Sequence, residues 1–146
     1  MTLKKVQKMK RKLFVIVSLL MTCMVSHAQT MYDSSNMLIG KIESDGTILD
    51  QMNMKVGRFK SDGTIEDSRH MKVGKIESSG TICDKMNMKI GKVEKDGTVN
   101  DNYNMKIGRV KADGAIEDRN HMKIGTAKSI PIPYAAVFFF FKQLFE

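Results

Sequence analysis

The sequence predicts an all-β fold in which short antiparallel hairpin repeats close into a shallow β-barrel of about 10–12 strands with an apolar C-terminal plug. Three observations predict it. A 17-residue unit recurs from Thr30, Thr47, Thr64, Thr81, Thr98 and Ala115 and fills residues 30 to about 128. All eleven glycines fall on two phases of that unit. The first copy lacks a partner strand that the last copy has to spare, and an aromatic segment follows.

Residues 1–28 precede the repeat. Lys4, Lys5, Lys8, Lys10, Arg11 and Lys12 are followed by an apolar run from Leu13 to Val25 and then by Ser26-His27-Ala28. This order reads as a secretory signal peptide cleaved after Ala28. The run is 13 residues, short of the roughly 20 that a spanning helix needs. A start at Met9 would give a more ordinary charged region. Leu20-Met21-Thr22-Cys23 is a distant match to a lipobox, in which Cys23 would be lipidated. Thr22, where Gly, Ala or Ser belongs, disfavours it. The expected destination is export across the inner membrane, to the periplasm, the envelope or the outside.

Removing the leader changes the charge balance. The whole chain is +8, but residues 29–146 hold 18 basic and 16 acidic residues, net +2. The basic pI is then a targeting signal and not a nucleic-acid footprint. With Cys23 in the leader, Cys83 is the one remaining thiol. Its repeat position elsewhere holds Leu49, Glu66, Asn100 and Glu117, which predicts a solvent-facing site.

Within the repeat (residues 29–129), one glycine phase is Gly46, Gly63, Gly80, Gly97 and Gly114. Four of these follow Asp and one follows Ser. Asp-Gly between short runs of Ile, Val and Thr signals a β-hairpin, because the turn needs positive φ. The other phase is Gly40, Gly57, Gly74, Gly91, Gly108 and Gly125. In Met54-Lys55-Val56-Gly57-Arg58-Phe59, strict alternation would put Phe59 on the face of Lys55. A β-bulge and bend at Gly57 restores it to the buried side. The shorter strand, Thr47 to Asp50, buries Ile48.

Asp33, Asp50, Asp67, Asp84, Asp101 and Asp118 recur, each followed three residues on by Asn or His. Asx-type turns between hairpins explain them better than a ring of metal ligands, since neither EF-hand nor nonapeptide calcium spacing is present. His70 and His121 stand at this turn and are read as surface residues. Met37, Met54, Met71, Met88, Met105 and Met122 share one position and are read as an apolar core layer. A copper site using pairs such as Met52/Met54 or Met86/Met88 is the alternative.

The first copy opens with a short strand at Thr30-Met31-Tyr32-Asp33, and the last ends with a long strand at Met122–Lys128. Pairing the two closes the sheet and removes its edges. So wide a ring has a lumen, because about eight strands already suffice for side chains to fill. In the tail, residues 130–146, Pro131 and Pro133 end the sheet and Tyr134, Val137, Phe138, Phe139, Phe140 and Phe141 follow. Each ring gains roughly 1.5–3 kcal/mol by burial. The tail is therefore expected to plug the lumen, with Lys142 near its mouth. Contact with a membrane surface is the rival role for the same residues. The strands are too short for an outer-membrane barrel, which needs about 9–11 residues per strand. A parallel solenoid with one copy per rung is the alternative architecture, disfavoured by the tight turns.

The pattern Gly-Lys-Ile-x-x-Asp-Gly-Thr-Ile-x-Asp at Gly40–Asp50, the following Met-Lys-Ile-Gly and the aromatic tail Ala135–Phe141 resemble the β-flower repeat proteins, described as five-fold β-flowers. The resemblance covers residues 30–141. It implies a shallow barrel of short hairpins around a central apolar segment, similar to tubby-like barrels, and no established activity.

No Ser-His-Asp arrangement, phosphate loop or metal-spaced cluster stands outside the repeat, and acid–base chemistry needs two unlike groups. The expectation is a non-catalytic, monomeric binding or structural protein without cofactor or metal. Lys55, Lys72, Lys89, Lys106 and Lys123, interrupted by Leu38, form a ring. Facing anionic lipid or envelope glycan is its functional reading, and a solvated face that blocks edge pairing is the plainer one.

Overall fold

The computed structural model describes residues 29–146; the expected signal peptide and Cys23 lie outside them. Two kinds of turn alternate along the chain, and both close the same way. In the first, Glu43 N–H donates to Thr47 O and Gly46 N–H to Glu43 O, at 2.8 and 2.9 Å. In the second, Asp50 N–H donates to Met54 O and Asn53 N–H to Asp50 O, at 2.9 and 3.1 Å. Each is a three-residue loop whose last residue is left-handed: Gly46 has φ 87° and Asn53 φ 63°. Only the glycine of each Asp-Gly pair takes positive φ, so the turn is the three-residue kind and not the two-residue one. Every strand is thus joined to the next by a tight reversal.

The strands are β1 (Gln29–Asp33), β2 (Leu38–Ile42), β3 (Thr47–Asp50), β4 (Lys55–Phe59), β5 (Thr64–Asp67) and β6 (Lys72–Ile76). They continue as β7 (Thr81–Asp84), β8 (Lys89–Val93), β9 (Thr98–Asp101), β10 (Lys106–Val110), β11 (Ala115–Asp118) and β12 (Lys123–Thr126). All pair antiparallel with their chain neighbours, and β1 pairs with β12 to close the barrel. At the seam Asp33 faces Gly125, the register that Asp50 and Gly40 share inside the chain. The terminal strands therefore complete a sixth hairpin, which excludes the solenoid.

The long strand bulges where expected. Ile48 pairs with Gly57 and Leu49 with Lys55, leaving Val56 as the extra residue. The other edge of β4 stays regular, with Phe59 opposite Ile65. Val56 and Gly57 consequently both point inward and Phe59 is buried. Repetition builds stacked rings in the lumen. Met31, Ile48, Ile65, Ile82, Val99 and Ile116 have no exposed surface at all. Beside them lie Ile42, Phe59, Ile76, Val93, Val110 and Ala127, then the glycines, then the half-buried Ile39, Val56, Val73, Ile90, Ile107 and Ile124.

The centre is filled by the tail. Helix α1 (Ile132–Phe140) and a short 3₁₀ helix (Lys142–Phe145) follow β12. Pro133 is tolerated in the first turn, where its missing N–H has no helical partner to lose. Ala135, Ala136 and Val137 are fully buried. The aromatic residues then take the glycine positions one by one. A Cβ added at Gly40 would meet Phe138, and one at Gly125, Gly108 or Gly91 would meet Phe139, Phe140 or Phe141. Leu144 sits over Gly74 and Phe145 over Gly57. Those six glycines lie on β2, β12, β10, β8, β6 and β4, which is their order around the barrel. The tail therefore makes one circuit of the lumen, seating one side chain per repeat.

Two stability effects follow. Gly108→Ala places a methyl group inside contact distance of Phe140 and the Glu117 carbonyl; overpacking of this kind costs about 1–3 kcal/mol, to be read from chemical denaturation midpoints. Truncation before Tyr134 empties the lumen, lowering the melting temperature and exposing apolar surface that drives self-association. An unchanged melting temperature in a monomeric truncation would contradict the plug.

Candidate functional site at the lysine and methionine rim

One end of the barrel is built from the six loops that follow Asp33, Asp50, Asp67, Asp84, Asp101 and Asp118. In each, the aspartate Oδ1 accepts backbone N–H groups two and four residues on, at 2.8 to 3.0 Å. These are Asx turns, and they occupy the carboxylates. The left-handed position holds Asn36, Asn53, His70, Asn87, Asn104 and His121, with φ between 61° and 65°. Asn and His are among the few non-glycine residues that accept this conformation. His70 and His121 are exposed there, as expected.

The methionine that closes each loop behaves otherwise than its spacing suggests. Met37, Met54, Met71, Met88, Met105 and Met122 are not a core layer, for each is between 61% and 66% exposed. The physical reason is position: each follows the left-handed residue and precedes the strand, so its side chain projects from the rim. Met52, Met86 and Tyr103 add further exposed apolar surface at the loop tips. Loop length was the available signal, since a three-residue reversal strands its closing residue at the barrel's edge.

The lysine ring starts the long strands one residue later. Lys55 is half-buried and Lys72, Lys89, Lys106 and Lys123 are exposed. Several reach sideways to the next loop: Lys55 Nζ lies 3.2 Å from His70 Nε2, Lys72 Nζ donates to Asn87 Oδ1 at 3.1 Å and Lys89 Nζ to Asn104 Oδ1 at 2.7 Å. The lysines thus tie neighbouring loops together along the rim. Two opposite repeats share one further arrangement. Glu66 stands 3.5 Å from Lys60 and 3.7 Å from His70, and Glu117 stands 3.4 Å from Lys111 and 3.7 Å from His121. The Lys and His partners of these pairs are exposed, so the pairs add little to stability.

The predicted plug residues are brought together inside the barrel, with Phe138 reaching the mouth beside Asp50 at this end. Tyr134 stacks on Phe59 with centroids 4.2 Å apart and planes 5° from parallel. Val137 and Phe141 are buried, and Phe138, Phe139 and Phe140 are half-buried against the glycines. Lys142 lies at the mouth, its Nζ 5.9 Å from the Phe138 centroid. Beside it a cavity of about 250 Å³ is lined by Asp50, Val56, Phe138, Lys142, Phe145 and Glu146. Its charges are of both signs and select for neither.

Cys83 also differs from its expectation. It is 6% exposed, because its cross-strand neighbours on the outer face are Lys75 and Lys89, whose long stems flank so short a side chain. Burial is the main cause that raises its thiol pKa, with Glu77 and Asp84 adding to it. Such a thiol is disfavoured as a nucleophile.

The chain matches the family described as 5-fold beta-flower protein over residues 28–143. No curated protein and no solved structure matches it. Five glycine-centred turns stand within the chain, and the β1–β12 seam completes a sixth repeat unit.

The turns make acid stability predictable in sign. Hydrogen bonds from the Thr47, Thr64, Met71 and Thr98 N–H groups are the leading cause holding Asp45, Asp62, Asp67 and Asp96 below the ordinary carboxylate value of 3.8. A depressed folded-state pKa stabilises the fold above the unfolded value. That contribution is lost as pH falls from 3.8 through the lower folded values. Denaturant midpoints should therefore drop over that acid range, and Asp62→Asn combined with Asp96→Asn, which keeps the acceptors but removes two titrations, should flatten the slope.

Proposed function

The chain belongs to the 5-fold beta-flower family, whose description assigns an architecture and no reaction, and from that premise we propose that it is a non-catalytic, exported repeat protein that lies against anionic lipid through its lysine and methionine rim. The observation that carries this reading is the coincidence of two rings on one end. Six exposed methionines close the loops at one end of the barrel, each of five followed by a lysine that begins the next strand.

Physical chemistry supports the pairing. A thioether side chain is flexible and apolar and adapts to an irregular surface such as an acyl–headgroup boundary. A lysine near an anionic leaflet contributes about 1 kcal/mol. Neither is sufficient alone, but both are repeated around one rim. The loops are already ordered by their Asx turns, so docking costs little conformational entropy. The tail is not needed for this contact. Its rings lie in the lumen, and the membrane role weighed for Tyr134 and Phe138–Phe141 moves to Met37, Met54, Met71, Met88, Met105 and Met122. The leader reading supports export, which would deliver the protein to an envelope surface.

Sedimentation with phosphatidylglycerol-containing vesicles should remove more protein from solution than pure phosphatidylcholine vesicles do, with release as salt rises. Met54→Ser, Met88→Ser and Met105→Ser together should lower the bound fraction at constant charge. Equal unbound fractions on both lipids at low salt would overturn the reading. The intact mass of exported protein should correspond to a chain beginning at Gln29.

A further inference from the structure

The opposite end of the barrel, formed by five glycine-centred turns and the β1–β12 seam, also departs from repetition at Phe59. Phe59 stands where the other copies carry Ile42, Ile76, Val93, Val110 and Ala127. It is the aromatic that Tyr134 stacks on as the tail enters the lumen, and Phe145 meets its edge at 6.4 Å. The turn beside it is also unlike the others. Glu43-Ser44-Asp45-Gly46 carries two acids and no base, whereas the equivalent turns include Lys60, Lys95 or Lys111, or only the single acid Glu77.

These two departures meet at a cavity of about 360 Å³. Pro131 and Tyr134 give it an apolar wall over Ile42 and Phe59, which are each 2% exposed, Gln29 and Ser61 add polar groups, and Glu43 and Asp45 form a negatively charged edge. Its size falls in the range of about 300–1,000 Å³ typical of small-molecule sites. Arg58 stays on the outer face, where its Nε donates to the Asp45 carbonyl at 3.1 Å, and it does not line the cavity. The Thr47 N–H donates to Asp45 Oδ1 at 2.9 Å, fixing that carboxylate in place and favouring its ionised form.

We propose that this cavity binds a small organic cation with an apolar, ring-sized body, the body resting against Tyr134 and Pro131, with Phe59 holding the Tyr134 ring from behind, and the cationic group against Glu43 and Asp45. An ammonium group beside the Tyr134 ring gains from its quadrupole as well as from the carboxylates. A neutral ligand of the same shape keeps only the apolar part, and an anion is repelled. This site is separate from the lipid-facing rim and stands or falls independently of it.

The test is a nuclear magnetic resonance titration of the whole protein with phenethylammonium, using phenethyl alcohol as the uncharged counterpart. The expected result is saturable shifts of the amides of residues 43–46 and Ser61, with binding at least tenfold weaker for the alcohol. Glu43→Gln combined with Asp45→Asn should weaken the ammonium about tenfold while leaving the alcohol unchanged. Phe59→Val, which restores the residue type of the other copies, should weaken both. Equal binding of ammonium and alcohol, unaltered binding in the double variant, or no saturable shift overturns the proposal. If the double variant does not fold, the comparison of the two probes on the unaltered protein decides the matter.

Discussion

The contact between the glycine ring and the tail is the constraint on which the rest of the structure depends. Twelve strands enclose more space than their own side chains fill, and an open apolar lumen would leave the inward rings without partners. The tail supplies the missing atoms, but aromatic rings need room. Each repeat provides it by omitting one Cβ, at Gly40, Gly57, Gly74, Gly91, Gly108 and Gly125. The two parts are complementary in number: six gaps and six side chains, Phe138 to Phe141 with Leu144 and Phe145. A non-repeating segment thus satisfies a repeating wall by walking around it.

The loops divide the molecule into two chemically different ends. Both turn types use the same hydrogen-bond closure, yet one places Gly in the left-handed position and the other Asn or His. The Asn and His loops carry six methionines outward, and five of them are followed by a lysine, which suits contact with an extended surface. At the glycine-centred end, the turns differ in charge and the tail breaks the symmetry on entering. Phe59 and Tyr134 meet there, so a single small-molecule site can exist where a repeat alone would give six identical ones.

Two differences between expectation and structure have a common origin. Methionine spacing implied a buried layer because apolar residues at a fixed period usually share a face. The left-handed residue just before each methionine interrupts that periodicity, and the side chain leaves the face. Variation at the position of Cys83 implied exposure, since Glu and Asn share it. The outer face of a tightly pleated barrel is half covered by lysine stems, so a long side chain reaches water there and a short one does not. In both cases the neighbours across the sheet, and not the residue's own class, set its environment.

The amino-acid sequence alone determined the period, the two turn positions, the bulge that returns Phe59 to the core, the closure of the first strand on the last and the presence of an apolar filler. Each follows from local chemistry or from counting: φ requirements, alternation, and two terminal half-hairpins that fit one another. Only the tertiary structure decided how the filler is seated, that the methionines face outward, and that Phe59, Tyr134, Glu43 and Asp45 converge. Those facts depend on which strand lies beside which and on where a helix enters the lumen. A one-dimensional pattern carries residue types and spacings, whereas a cavity or a rim is a property of distances across the barrel.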